Sequence, residues 1–127
     1  MTENNTSLYD RIGGAPTIES LIDSFYEKVL ADGELKHYFN HAPMDKLRRM
    51  QREFFSAATG GPITYSGRPL SEVHRHMAIS KREFQRFTEH LLSTLKEVGV
   101  TEDDAYEIIS HVNLYADEIT NDIGDPE

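Results

Sequence analysis

The stretch APTIESLIDSFYEKVLA, residues 15–31, decides the fold. Ile18, Leu21, Ile22, Phe25, Val29 and Leu30 recur at steps of three and four, which gathers them on one stripe of an α-helix. Pro16 suits the first helical turn, and Gly33 just past the stretch suits a left-handed stop. Upstream, Gly13–Gly14 sets this helix apart from a short apolar piece at Leu8–Ile12. Downstream, Pro43 opens a second helix from Met44 to about Thr59, with Leu47, Met50, Phe54, Ala57 and Ala58 in register. Gly60-Gly61-Pro62 ends it. Residues 60–69 hold three Gly and two Pro and read as an irregular loop, longer than a plain helix bundle needs. A brief helical stretch follows, with Leu70, Val73 and Met77 on one side. Ser80 and Glu83 form a capping-box pattern for a third long helix to about Val98, striped by Phe84, Phe87, Leu91, Leu95 and Val98. A fourth helix is expected from about Glu102 to Thr120, capped by Thr101 or Asp103. No segment alternates with period two for long. The expectation is an all-α fold in a single domain over residues 1–127, with its core at about 7–120 and loose acidic tails.

Composition narrows the roles open to such a fold. The chain has 127 residues, 38% of them hydrophobic, enough for one core. Acids outnumber bases 22 to 13, so the formal charge is −9. A surface of that sign repels phosphate backbones and anionic lipid, which argues against nucleic-acid or membrane partners. With no Cys there is no disulfide, no thiolate nucleophile and no Cys-held iron–sulfur or zinc centre. No apolar run approaches 18 residues and Met1–Ser7 is polar, so a cytoplasmic protein is expected. HExxH, Walker-type and Gly-x-Ser-x-Gly patterns are missing from the sequence.

Polar residues on apolar stripes carry the functional signal. Tyr26 lies one helical step after Ile22, so its ring points inward and its hydroxyl needs a partner. A core tyrosine whose hydroxyl reaches the surface explains it too. Gln51 sits between Leu47 and Phe54, where a half-buried boundary glutamine is an equal reading. His74 completes a face with Leu70, Val73 and Met77, whereas His76 points away from it. On spacing alone, such a histidine is more often a hydrogen-bonded core residue than a ligand. His37, His41, His90 and His111 are expected at the surface. The rings of Phe25, Tyr38, Phe39, Phe54, Phe55, Phe84 and Phe87 suit either an ordinary core or the walls of a flat aromatic cofactor pocket.

From about Ser7 to Thr120 the chain resembles the truncated (two-over-two) hemoglobins, group I in particular. The landmarks are Leu8-Tyr9-Asp10-Arg11-Ile12-Gly13-Gly14, Phe25-Tyr26, Phe39, Met44 through Phe55, Gly60-Gly61-Pro62, Tyr65, the His74 segment and the Phe84 helix. The absence of Trp speaks against groups II and III. The resemblance implies non-covalent heme b, with His74 as the proximal iron ligand and Phe39 packing on the porphyrin. It makes Tyr26 and Gln51 the distal hydrogen-bond donors, the pair that would carry catalysis, and Leu47 the residue at the usual distal histidine or glutamine position. Phe54 and Phe55 match heme-packing and tunnel-gating aromatics, Tyr65 and Phe84 join the pocket, and Lys46 matches a base that reaches a heme propionate. Met50 stands where some relatives have a histidine that binds iron, Phe87 where a smaller residue flanks the ligand tunnel, and Asp117 where a few relatives bond covalently to heme. The implied activity is binding of O2, NO and CO, with conversion of nitric oxide to nitrate as the candidate enzymatic reaction, served by a separate reductase. The alternatives are an oxygen store or sensor and a six-coordinate electron-transfer protein. A monomer or weak dimer is expected.

Overall fold

The computed structural model describes residues 7–62, 65 and 79–120. Its elements are α1 (Leu8–Ile12), α2 (Gly14–Ala31), a 3-10 turn (Lys36–Phe39), α3 (Met44–Ala58), α4 (Lys81–Glu97), α5 (Glu102–Asn113) and α6 (Ala116–Ile119), with no strand among the described residues. The fold is all-α. Helix α2 packs against both α3 and α4, α4 packs against α5, and α1 bridges α2 and α5.

Local chemistry sets most of the boundaries. Gly13 closes α1 and opens α2 at φ 114°, and a Cβ there would sit 2.2 Å from the Thr17 hydroxyl, so the elbow requires glycine. The expected capping box is present at α4, where the Ser80 hydroxyl accepts from the Glu83 N–H and Glu83 accepts from the Ser80 N–H. Such a cap contributes about 0.5–2 kcal/mol. Thr101 caps α5 by accepting from the Asp104 N–H. Gly61 lies against the Tyr9 ring so closely that a Cβ would come within 2.6 Å, while the Tyr9 N–H donates to the Thr59 carbonyl at 2.8 Å. That pair of contacts pins α1 to the end of α3.

Two boundaries differ from the sequence reading. The helix ending at Ala31 stops on Asp32 in an extended conformation, φ −89° and ψ 114°, and Gly33 is not left-handed. The turn is held instead by Asp32 Oδ1, which accepts from the Glu34 N–H at 2.9 Å. The expected fourth helix is two: Leu114 and Tyr115 break it after Asn113, and α6 resumes at Ala116.

The core lies where α2 crosses its neighbours. Leu21, Ile22, Val29, Leu35 and Leu95 are fully buried, with Ile18 and Ile108 nearly so. Burial of each such side chain contributes about 1.5–3 kcal/mol. Toward α3 the packing changes character, and Phe39, Met44, Leu47, Phe54 and Phe87 touch the core cluster while remaining partly exposed. No described helix is long and apolar enough to cross a membrane.

Candidate functional site

Tyr26 anchors the site. Its place on the α2 stripe turns the ring inward as expected, and it is only 3% exposed. The ring meets Phe25 edge-on at 5.2 Å and Phe39 edge-on at 5.7 Å. Phe87 from α4 closes this group, 6.2 Å from Phe25 and 6.1 Å from Phe39. Burial holds the Tyr26 phenol well above its ordinary pKa, with the Arg48 charge pulling it part of the way back. At neutral pH the group is therefore an uncharged donor. Among the described residues nothing accepts its proton, and the buried side-chain nitrogen left without a hydrogen bond is Arg48 Nε on α3.

Helix α3 supplies the facing wall. Leu47, Met50, Gln51 and Phe54 follow one another at helical steps and are all half-buried, while Lys46 is exposed. A second aromatic group gathers on Phe54, which meets Phe55 at 5.6 Å, Tyr65 at 5.7 Å and Tyr115 at 5.5 Å, all edge-on. Tyr115 joins that group from the break between α5 and α6. Behind it a cavity of about 10 Å³ is lined by Phe55, Ile108, His111 and Tyr115 among others, room for a single water at most. Phe84 is buried but lies apart from the main core cluster. His74 lies outside the described residues, as do Leu70, Val73, His76 and Met77.

The remaining histidines divide. His37 and His41 are exposed, His37 against the Tyr38 ring at 4.1 Å. His90 corrects the surface expectation, since its side chain is 27% exposed and its Nε2–H donates to Asp32 Oδ2 at 2.7 Å. The same carboxylate accepts from Arg86 Nε at 3.0 Å and Nη2 at 2.7 Å. Sequence reasoning missed this joint because its members lie more than fifty residues apart. His111 is half-buried. Tyr38 donates to Glu83 Oε1 at 2.5 Å, fastening the 3-10 turn that carries Phe39 to the start of α4.

A half-covered aromatic wall with the Tyr26 phenol against it, its hydroxyl without an acceptor among the described residues, fits a flat apolar group that carries a polar ligand. Among the described residues no cluster of three or more His, Cys, Asp or Glu offers a bare metal site. The sequence pattern of the bacterial-like globins matches residues 7–121. The chain is 39% identical to the group 1 truncated hemoglobin of Mycolicibacterium paratuberculosis over 113 residues, covering 89% of this chain and 83% of that protein. The truncated hemoglobin of Tetrahymena pyriformis in its Fe(III) form superposes with a TM-score of 0.87 at 31% identity, covering 91% of this chain and 98% of that one. The two-over-two hemoglobin of Synechococcus, solved in the cyanomet state with covalently attached heme, gives 0.86 at 29% identity over 91% and 99%. The chain belongs to the bacterial-like globin family and, within it, to the group 1 truncated hemoglobins. It is thus a heme-binding globin competent for diatomic ligands.

Proposed function

We propose that this chain holds heme b non-covalently through His74, binds O2, NO and CO, and acts in the cytoplasm as a nitric oxide dioxygenase. Heme supplies an iron that takes a gas and exchanges one electron, and the net reaction joins nitric oxide, dioxygen and one electron into nitrate. The observation that supports the reading is the Tyr26 phenol, turned inward against the Phe39 ring, protonated and with no acceptor among the described residues.

The chain's own residues then divide the work. Tyr26 donates from α2 and the Gln51 amide donates from α3, while Leu47 keeps the intervening position apolar. A hydrogen bond to a partner carrying charge contributes about 1.5–3 kcal/mol, roughly 10- to 150-fold in ligand retention. Phe39, Phe54, Phe55, Tyr65 and Phe84 offer ring faces and edges to the macrocycle, and Lys46 offers a cation to a propionate. Asp117, in place of a histidine, leaves the heme without a covalent tether. The electron comes from a separate reductase.

Stopped-flow mixing of the oxygenated protein with nitric oxide tests this, with nitrate formed within the mixing time as the expected result. Slow or absent nitrate rejects it. One observation favours a second reading: the bulky Phe87 ring lodges against Phe25 and Phe39, at the position where the resemblance puts a smaller residue beside the ligand tunnel. Slow nitrate formation together with slow oxygen release selects an oxygen store or sensor.

A further inference from the structure

Arg48 is poorly matched as a structural cation. It sits on α3, and its Nε is buried without a hydrogen bond among the described residues. That nitrogen lies 3.9 Å from Asp23 Oδ1 on α2, beyond hydrogen-bond range, and the Asp23 side chain is 60% exposed. Arg86 and Arg11 show what a fastening arginine looks like in this fold. Arg86 meets Asp32 through Nε at 3.0 Å and Nη2 at 2.7 Å, and Arg11 meets Asp104 at 3.1 Å and Glu107 at 2.9 Å. Leaving a buried donor of a charged group unpaired costs stability, and groups of this kind gather at functional sites.

Position says what the charge serves. Asp23 and Tyr26 are three residues apart on α2 and neighbour one another on its surface, and Arg48 reaches that region across the α2–α3 contact. Burial raises the pKa of the Tyr26 phenol, and the Arg48 charge pulls it back down. Gln51, the second donor of the function proposed above, stands three residues after Arg48 on α3. The acids at neighbouring helix positions, Asp23 and Glu27 on α2 and Asp45 on α3, are all exposed, whereas Arg48 is half-buried. Water therefore screens them more than it screens the guanidinium.

We propose that Arg48 is a positioning residue of the gas site: its cation holds a positive potential at the Tyr26 hydroxyl, which strengthens the hydrogen bond that Tyr26 donates and favours ligands that carry negative charge. The inference rests on the function proposed above, whose donor it tunes. A cation beside a phenol makes the O–H a better donor toward a charged acceptor. In a half-buried seam that effect is not lost to water. The ligands that gain are small anions and gases that draw negative charge on binding, with carbon monoxide gaining least.

The test uses the full chain, heme-loaded, with three substitutions. Arg48→Met keeps the stem and removes the charge, Arg48→Lys keeps the charge, and Asp23→Asn removes the counter-charge. The carbon monoxide stretch of the ferrous protein reads the local potential, because a positive potential lowers it. The stretch is expected to rise in Arg48→Met, to stay near the parent value in Arg48→Lys and to fall in Asp23→Asn. Azide affinity of the ferric protein should follow the same order, with a loss of about tenfold in Arg48→Met, while carbon monoxide affinity changes far less. A stretch and an azide affinity that ignore Arg48→Met overturn the inference. So do equal changes in Arg48→Met and Arg48→Lys, which leave only packing. A colourless protein overturns this inference and the proposed function together. A heme-loaded protein that forms nitrate yet ignores Arg48 overturns this inference alone, and the ordered response in a protein that forms nitrate slowly rejects the dioxygenase and upholds Arg48.

Discussion

The α2–α4–α5 side of the molecule and the α3 side are written in the same helical pattern, yet only the first is closed by the chain itself. On the closed side Leu21, Ile22, Val29, Leu35 and Leu95 have no exposed surface. On the other, Phe39, Leu47, Phe54 and Phe87 touch the core and remain partly exposed. The closed side also satisfies its buried Thr94, whose hydroxyl donates to the His90 carbonyl. On α3, Arg48 Nε is buried without a hydrogen bond. Stability is concentrated where the chain finishes its own packing, and binding where it does not.

Truncation on each side tests that division most strongly. Leu21→Ala is expected to cost about 2–5 kcal/mol in chemical denaturation of the heme-free protein, the range for a large-to-small change in a packed core. Leu47→Ala, on the half-covered wall, should cost less than about half as much under the same conditions. Equal losses would show that the two sides are one continuous core.

Tyr26→Phe separates packing from ligand chemistry. The ring and its contacts with Phe25 and Phe39 are kept, and only the unpartnered hydroxyl goes. Heme-free stability should hold, because the hydroxyl makes no hydrogen bond among the described residues. Oxygen dissociation, followed by flash photolysis or displacement with CO, should accelerate about 10- to 150-fold, equivalent to about 1.5–3 kcal/mol. Unchanged dissociation would remove Tyr26 from the ligand's surroundings.

The sequence displays these two sides unevenly. The apolar stripes locate α2, α3 and α4 almost to the residue, and the Ser80–Glu83 pattern locates the start of α4; for α5 the sequence leaves Thr101 and Asp103 as cap candidates, and Thr101 is the cap. The inward aim of Tyr26 follows from its step after Ile22. The break at Leu114–Tyr115 carries no Gly or Pro to announce it. The role of His90 depends on a carboxylate 58 positions away. Roles such as that of Gln51, by contrast, came from family likeness, because a half-buried glutamine on a helix looks the same whether or not it serves a ligand.

Asp32 gives the finest test, at a place where the closed side is joined by charge. Its carboxylate ties the end of α2 to α4 by accepting from His90, the Glu34 N–H and Arg86. The hydrogen bond from His90, helped by those from Glu34 and Arg86, lowers its pKa to about 2 against the pull of burial in the other direction. A carboxyl depressed in the folded state stabilises fully above its unfolded value, about 3.9, and loses that contribution as pH falls toward 2. The urea midpoint of the protein should therefore decline between about pH 4 and pH 2, whereas Asp32→Asn should start lower at pH 6 and lack that part of the decline. Parallel curves would move the acid sensitivity to other carboxylates and reduce the α2–α4 joint to packing, since only a titrating group at that joint makes the two profiles converge as the carboxylate is neutralised.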